Sequence, residues 1–209
     1  MKIMALSDTH GFLDFKLPEA DLILHAGDVC PDFAPRNPLG SSLQESWLHE
    51  RWLPWVGKST VKCCFGNHDF VRKLEAPKQF KVDELIVFDK LKIWFSPWSP
   101  EFCGWAWMKP DPDLKPIYDK IPEGIDILVS HGPPKGYGDW LIDPSDGRAE
   151  HLGSLELLMA INRVKPKVVI CGHIHGAHGH YRYQDTDIYN VSLLNEAYQR
   201  VWEPTEIIL

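Results

Sequence analysis

Short, almost purely apolar runs alternate along the chain with polar turns. Runs of four or five aliphatic and β-branched residues bounded by turn residues are typical of buried strands. On this pattern we predict buried strands over residues 2–6, 21–25, 61–65, 126–130 and 167–171. Because helical segments separate some of these strands, the pattern indicates an α/β fold.

Two segments have helical periodicity. A helix is predicted to begin at Ser42, with Glu45 as its capping-box partner, and to end just before Pro54. A second helix is predicted over residues 155–164, with Ser154 as its N-cap. We interpret the first helix as part of the scaffold. Its apolar positions are Leu43, Trp47, Leu48, Trp52 and Trp55.

Shorter apolar runs complete the predicted sheets. Residues 85–88 and 91–95 flank Asp89-Lys90 and are expected to form a hairpin or two sequential strands. The Pro- and Gly-rich residues 31–40 are predicted to form a loop. Antiparallel strands that close the fold are expected over residues 181–183, 188–191, 199–202 and 207–209.

Composition narrows the class of protein. The 209 residues are predicted to form one domain over 1–209, and 44% apolar with 24% charged residues is ordinary for a soluble globular protein. A net charge of -7 without a basic run argues against a protein that binds extended nucleic acid and against one that binds membranes through a polybasic segment. A small anionic substrate stays compatible with this charge, because a bound metal reverses the local sign.

Cysteine usage and hydropathy predict where the protein is found. The five cysteines include no CxxC pair and are odd in number, which favours a reducing compartment. The apolar run at the N-terminus is too short for a signal peptide and is interrupted by Asp8, and no uncharged run is long enough to cross a membrane. We therefore expect a soluble, cytoplasmic protein that does not bind membranes.

The polar turns after the five predicted strands contain side chains that bind metals. Asp8 and His10 are two residues apart, so at the end of an extended strand they point the same way and suit joint ligation of one ion. Asn67 offers a neutral oxygen, and His68 is able to carry a proton at physiological pH. Taken singly, each of these clusters is also compatible with an ordinary polar turn.

The recurrence of these clusters is the stronger signal. In chain order, the five turns contain Asp8 and His10, Asp28, Asn67 and His68, His131, and His173 and His175. Half of the ten histidines fall in these turns. Because α/β folds place their sites at the carboxyl ends of strands, we expect one shared metal site. A set of oxygen and imidazole ligands without cysteine suits Mn, Fe or Zn better than Ca.

A loop over residues 96–107 alternates proline with aromatic residues, which excludes a regular helix or strand. One interpretation is an aromatic plug that packs on the body of the domain. The other is a wall on which a flat part of the substrate stacks, with Trp98, Phe102 and Trp105 as the candidate substrate-binding residues.

The ordered polar motifs resemble those of the calcineurin-like metallophosphoesterase superfamily. The matching segments are Asp8-x-His10, Gly27-Asp28, Gly66-Asn67-His68-Asp69, His131 and Gly172-His173-x-His175. Finer detail is similar to one branch, the metallophosphoesterase-domain-containing proteins related to class III cyclic-nucleotide phosphodiesterases. That detail comprises Ser96-Pro97-Trp98, Pro100-Glu101-Phe102, Gly104-Trp105, His131-Gly132-Pro133-Pro134 and Asp139-Trp140.

The resemblance implies a four-layer α/β/β/α sandwich of two mixed sheets, with two divalent metal ions at the strand ends. It implies manganese first, with iron, zinc, nickel and magnesium as alternatives. Asp28 is implied as a ligand shared by both ions. The remaining implied ligands are Asp8, His10 and His175 for one ion and Asn67, His131 and His173 for the other.

The resemblance also implies a reaction. A water ionised between the two metals attacks phosphorus in line, while His68 stabilises the transition state or protonates the leaving oxygen. Many members of the superfamily place an acid three residues beyond the shared aspartate to orient this histidine. Here that position is Pro31, and Asp32 is the candidate replacement.

The function that follows is a metal-dependent phosphodiesterase acting on small cyclic nucleotides such as 2′,3′-cAMP. The alternatives are a phosphomonoesterase for a small phosphorylated metabolite, and a weakly active binding or scaffold protein with the same fold. The net charge of -7 favours a small nucleotide over a nucleic-acid polymer, which calls for a basic track.

Overall fold

The computed structural model describes residues 1–33, 38–142 and 147–209. In chain order its strands are β1 (Ile3–Leu6), β2 (Leu22–His25), β3 (Val61–Cys63), β4 (Glu84–Phe88), β5 (Leu91–Ser96), β6 (Ser99–Pro100), β7 (Met108–Lys109), β8 (Ile127–Ser130), β9 (Trp140–Ile142), β10 (Ala149–His151), β11 (Val168–Cys171), β12 (Gly179–Tyr183), β13 (Thr186–Asn190) and β14 (Thr205–Ile207). Its α-helices are α1 (Pro38–Trp47), α2 (Leu53–Val56), α3 (Asp111–Tyr118) and α4 (Leu155–Val164).

The strands form two large mixed sheets and two small ribbons. The first sheet has the order β14-β1-β2-β3, in which β1, β2 and β3 are parallel and β14 is antiparallel. The second has the order β12-β13-β11-β8-β5-β4, with four parallel central strands and an antiparallel strand at each edge. The ribbons pair β6 with β7 and β9 with β10.

Alternation along β1 shows how the layers assemble. Ile3 and Ala5 point into an apolar cluster shared by the two large sheets, whereas Met4 and Leu6 point into a second cluster under α1 and α2. A third cluster lies between the other sheet and helices α3 and α4. Three apolar interfaces separate four layers, and the four-layer α/β/β/α sandwich of two mixed sheets is confirmed.

The helix predicted from Ser42 differs at both ends. It begins at Pro38, and it continues past Pro54 because a π-helical turn, Leu48–Trp52, joins α1 to α2. In that turn the N–H of Leu53 donates to the carbonyl of Leu48, five residues back. This wider turn comes just before Pro54. A proline lacks an N–H and clashes with the preceding turn of a regular α-helix, so the backbone hydrogen bonds of the helix must be rearranged there. The predicted loop over 31–40 overlaps this helix and lies partly outside the described residues.

The C-terminal strands also differ from the prediction. β12 and β13 pair antiparallel as expected, but β13 runs parallel to β11 and β14 joins the other sheet. Residues 199–202 form a single bridge between Arg200 and Leu194 instead of a strand. The hairpin of β4 and β5 is confirmed, and so is the N-cap of α4, where Ser154 Oγ accepts the N–H of Leu157. No helix in the described ranges is long and apolar enough to cross a membrane.

Candidate metal centre

The residues that follow β1, β2, β3, β8 and β11 converge at one edge of the sandwich. Four of them, Asp8, His10, Asp28 and His173, have positive φ angles of 53°, 42°, 54° and 71°. This left-handed backbone turns the chain sharply where each strand ends, and Asp and His adopt it more readily than bulkier residues do. Side chains from two different sheets therefore reach a common site.

Glycines let these turns approach one another. A Cβ on Gly66 would lie 2.2 Å from Oδ1 of Asp28, and a Cβ on Gly172 would lie 2.1 Å from Oδ2 of Asp8. Both separations are shorter than any real contact. The glycine beside the Asn-His-Asp cluster and the glycine before His173 are therefore required by the packing of the site.

The first group of candidate ligands is Asp8, His10 and His175, whose ligand atoms all lie within 4.8 Å of one another. Nε2 of His175 is 3.4 Å from Oδ1 of Asp8 and 3.3 Å from Nε2 of His10. Two atoms that each bind an ion at about 2.0–2.2 Å lie about 3 Å apart when the angle at the ion is near 90°. The observed separations fit a shared ion.

The second group is Asp28, His131 and His173, again within 4.8 Å. Nε2 of His131 lies 3.4 Å from Oδ2 of Asp28 and 2.8 Å from Oδ1 of Asn67. The same Asp28 oxygen is 3.7 Å from Nε2 of His10, which belongs to the first group. Asp28 therefore stands between the two ligand groups, the position that a shared ligand requires.

Hydrogen bonds fix the orientation of the ligand side chains. Nδ1 of His131 donates to the carbonyl of Ala26 at 2.9 Å, and Nδ1 of His175 donates to the carbonyl of Asn195 at 3.0 Å. Each bond leaves Nε2 as the atom that carries the lone pair facing the site. Asp8 accepts hydrogen bonds from the hydroxyls of Ser7 and Ser192 and from the backbone N–H of His173.

The buried carboxylates of the two ligand groups favour bound cations. Asp8 and Asp28 are buried, and within the described part of the chain only histidines stand opposite them as ion-pair partners. Burial raises the pKa of Asp28, and burial lowers the pKa of His10, which makes that imidazole neutral as ligation requires. Such carboxylates are costly to bury unless cations compensate them, so the residues fit a pair of divalent ions.

Asp8 and His175 form an ion pair within the first group, with Nε2 of His175 3.4 Å from Oδ1 of Asp8. Burial opposes the charge of both side chains, but their mutual hydrogen bond and attraction outweigh it. The pKa of Asp8 is therefore lowered, and the pKa of His175 is raised to about 9. A metal that binds His175 must displace its proton, so metal binding is expected to release a proton at neutral pH.

His68 lies beside the ligands and is oriented by Asp32. Its Nδ1 donates to Oδ1 of Asp32 at 2.8 Å, and its backbone N–H donates to Oδ1 of Asp28 at 2.8 Å. Burial opposes the charge of the imidazole, but the nearby carboxylates of Asp28 and Asp32 outweigh it and raise the pKa of His68. Asp32 thus occupies the role left open by Pro31. His10, Asp32 and His68 also form a cluster within 4.8 Å.

Asp69 has a structural role that the sequence did not indicate. Its buried carboxylate accepts the backbone N–H groups of Val29 at 3.0 Å, Cys30 at 2.8 Å and Gly66 at 2.8 Å. These bonds tie the turn after β2 to the turn after β3. Asp69 therefore fixes Asp28 relative to the segment that contains Asn67 and His68.

The aromatic loop contributes two of its three candidate residues. Phe102 and Trp105 line a cavity of about 230 Å³ over the ligands, and the Trp105 ring lies edge-on to His68 with centroids 4.0 Å apart. Trp98, the third candidate, does not line this cavity. Its indole N–H donates to Asp83, and its ring packs edge-on against Trp107, on the body of the protein.

Two residues of the cavity were missed by sequence reasoning, Glu196 and Tyr198. The Tyr198 ring lies 4.7 Å from the ring of His10 and 5.5 Å from that of His175, measured between centroids. Its φ of 57° is unusual for an aromatic residue. The available signal was the polar segment at residues 195–198, between the strands predicted over 188–191 and 199–202.

Comparison with known proteins agrees with this geometry. Residues 1–177 match the family described as calcineurin-like phosphoesterase. The whole chain aligns with 71% of metallophosphoesterase domain-containing protein 1 from Homo sapiens, at 29% identity over 242 residues, and the Mus musculus protein gives the same values. In fold, 94% of the chain is similar to 90% of phosphopantetheinyl hydrolase from Mycobacterium tuberculosis, with a TM-score of 0.54 at 14% identity. The chain therefore belongs to the calcineurin-like phosphoesterase family.

Proposed function

We propose that the protein is a dinuclear phosphodiesterase that hydrolyses small cyclic nucleotides, with 2′,3′-cyclic nucleotides preferred over 3′,5′-cyclic ones. The observation that carries the proposal is the position of Asp28, whose Oδ2 faces His131 of one ligand group and His10 of the other. Membership of the family supports metal-dependent phosphoester hydrolysis as the class of reaction.

Seven residues would hold the two ions, and manganese is the proposed metal. They are Asp8, His10, Asp28, Asn67, His131, His173 and His175. In such a site two divalent ions lower the pKa of a water and neutralise the charge that develops on the phosphoryl oxygens. Burial keeps His131 and His173 neutral by lowering their pKa values, which prepares them for ligation.

His68 is the proposed catalytic residue. With Nδ1 bound to Asp32, its Nε2 is the atom that exchanges a proton with the substrate. The raised pKa of His68 favours the protonated form at neutral pH, the form that a general acid needs to donate to a leaving oxygen. The His68 side chain is nearly buried beside the candidate metal ligands, so a leaving group of a substrate bound at the metals would lie close to it.

Aromatic residues support a nucleotide as the substrate. Phe102 is 63% exposed, and its ring lies 5.7 Å from that of His173, measured between centroids. Trp105 lines the same cavity. Stacking on such rings contributes about 1–3 kcal/mol per base, which distinguishes a nucleotide from a simple alkyl ester. The strained five-membered ring of a 2′,3′-cyclic phosphate lowers the barrier to attack.

The test compares kcat/KM for 2′,3′-cAMP, 3′,5′-cAMP and bis(4-nitrophenyl) phosphate in the manganese-loaded protein and in Trp105→Ala. We expect the order 2′,3′-cAMP above 3′,5′-cAMP, and a larger loss in Trp105→Ala for the nucleotides than for the aryl diester. Equal losses on all three would remove the stacking role. Faster hydrolysis of 4-nitrophenyl phosphate than of any diester would assign a phosphomonoesterase, and no turnover would assign a binding protein.

We further propose that the whole chain acts as one cytoplasmic domain. The residues beyond the family match supply β12, β13 and β14, and these strands pair within both large sheets. The test is the yield of folded protein from a chain that stops at residue 177, which should be insoluble or unfolded if the last strands belong to the same domain.

A further inference from the structure

A second cavity, of about 570 Å³, adjoins the metal centre and shares Phe102, His173 and Glu196 with the smaller cavity over the ligands. We call it the side cavity. We propose that the side cavity binds the organic part of the substrate, an uncharged ring system of nucleoside size, and that His151 is the residue that hydrogen-bonds it. The inference rests on the proposed function for its placement beside the phosphoryl group.

The orientation of the His151 side chain is fixed by Asp139. Its Nδ1 donates to Oδ1 of Asp139 at 2.8 Å, and Asp139 is fully buried. The other carboxylate oxygen of Asp139 accepts the backbone N–H groups of Gly136 at 2.9 Å and Gly153 at 3.0 Å. Three hydrogen bonds therefore hold Asp139 in place, and because Nδ1 of His151 donates to it, Nε2 of the neutral imidazole is left as an acceptor.

The backbone around His151 is also held. His151 ends β10 and pairs with Trp140 at the start of β9. The N–H of the next residue, Leu152, donates to the carbonyl of Asp139 at 2.9 Å. His151 thus combines a fixed backbone and a fixed Nδ1 with a side chain that is 53% exposed and lines the side cavity. The buried carboxylate of Asp139 thus preorganises the exposed imidazole of His151 to hydrogen-bond a ligand in the side cavity.

The walls of the side cavity decide the class of ligand. The apolar walls are formed by Phe102, Leu141, Leu152 and Ile174. Among the described residues that line the cavity, the carboxylates of Glu101, Asp111 and Glu196 outnumber the ammonium group of Lys135. This excess of negative charge disfavours a second phosphate group. Apolar walls with acceptors at carboxylates and at His151 Nε2 suit an uncharged ring that carries hydroxyl or amino donors.

The volume agrees with that class of ligand. Sites for small molecules enclose about 300–1,000 Å³, and the side cavity falls within this range. The smaller cavity over the ligands encloses about 230 Å³ and is lined by four of the candidate metal ligands, Asp28, Asn67, His173 and His175. The phosphoryl group at the metals and the sugar next to it, beside Trp105, would fill the smaller cavity, and the base would lie in the side cavity, with Phe102 as the stacking ring at their boundary.

The experiment measures binding of adenosine and, separately, of inorganic phosphate to the manganese-loaded protein by isothermal titration calorimetry. Adenosine lacks a phosphate and reports on the side cavity, whereas phosphate reports on the metals. His151→Ala should weaken adenosine binding by about threefold to tenfold, the loss of one hydrogen bond, and should leave phosphate binding within about twofold. His151→Gln, which keeps an acceptor, should recover part of the adenosine affinity.

A matched control is available at His180. Its side chain is also 53% exposed, and its Nε2 is 2.8 Å from an oxygen of Asp187, on strands away from the side cavity. His180→Ala should change neither affinity. Equal adenosine affinity in wild type and His151→Ala, or no adenosine binding by the wild type, overturns the inference. A further outcome is that the protein binds adenosine in a His151-dependent way and yet hydrolyses no phosphodiester. That result would support binding in the side cavity and contradict the proposed function.

Discussion

Nδ1 of His68 donates to Oδ1 of Asp32 at 2.8 Å, a contact that ties the turn after β3 to the loop after β2. The position one residue earlier is Pro31, which has no side-chain acceptor. The loop after β2 nevertheless brings a carboxylate to the imidazole. From this contact we expect Asp32 to act as a positioning residue for His68.

We expect Asp32→Ala to lower kcat by about 10–100-fold, because His68 loses the partner that fixes its tautomer. His68→Ala should lower kcat by about 10²–10⁴-fold. The double variant should be no slower than His68→Ala alone, since Asp32 acts only through that residue. Steady-state kinetics of the three variants, with exposed Asp14→Ala as control, check this. Additive losses would show that Asp32 has an independent role.

Asp69→Ala is expected to destabilise the protein by about 2–4 kcal/mol. The substitution leaves buried backbone N–H groups of Val29, Cys30 and Gly66 without an acceptor, and each such loss is costly. The free energy of unfolding is measured by urea titration of the metal-free protein, so that weaker metal binding does not contribute. A stability equal to that of the wild type would contradict the anchoring role of Asp69.

His25 should make stability sensitive to acid. Burial lowers the pKa of His25 to about 3 in the folded protein, and an unfolded histidine has a pKa of about 6.5. The unfolded state therefore binds a proton that the folded state does not, and stability falls as the pH decreases below 6.5. Between pH 7 and pH 5 this contribution is about 2 kcal/mol.

His25→Gln removes this titration, so the variant should lose about 2 kcal/mol less than the wild type over the same two pH units. Urea unfolding of both proteins at pH 7 and pH 5, with chelator present, measures the difference. Because both proteins share their other buried histidines, those contributions cancel in the comparison. Equal losses would show that His25 is protonated inside the folded protein.

Chelation should abolish hydrolysis, and manganese should restore it. The ligands are carboxylates, an amide and imidazoles without a thiolate, a set that exchanges metal more readily than a closed cysteine site. Dialysis against a chelator followed by metal titration, with metal content measured at each point, tests this. Full activity in protein shown to be metal-free would contradict a metal-dependent reaction.

The sequence predicted the strands well because five buried runs sit between polar turns, a pattern that local chemistry controls. The same pattern located Asp8, Asp28 and His131 at strand ends, and the structure brings these ends together. Helix boundaries were harder to predict, because the π-helical turn before Pro54 depends on how Leu48 and Trp52 pack in the core.

Contacts between distant segments were the part that the sequence did not reveal. The bonds of Asp69 to the turn after β2 span about forty positions, and its carboxylate looked like one more member of a polar turn. Tyr198 reaches His10 from the C-terminal segment, which has no motif of its own. The placement of Trp98 was not readable for a related reason, since its bond to Asp83, far from the cavity residues in sequence, is not visible in a run of aromatics.

The most direct measurement is the metal content of manganese-reconstituted wild type, Asp28→Ala and His68→Ala by mass spectrometry. Asp28 faces both candidate ligand groups, whereas His68 belongs to neither the Asp8, His10 and His175 group nor the Asp28, His131 and His173 group. Wild type and His68→Ala should therefore each hold two ions per chain. Asp28→Ala should hold one or none, and it should lose more activity than His68→Ala, whose loss is about 10²–10⁴-fold. Two ions retained in Asp28→Ala, or none bound by His68→Ala, would contradict a dinuclear site shared through Asp28.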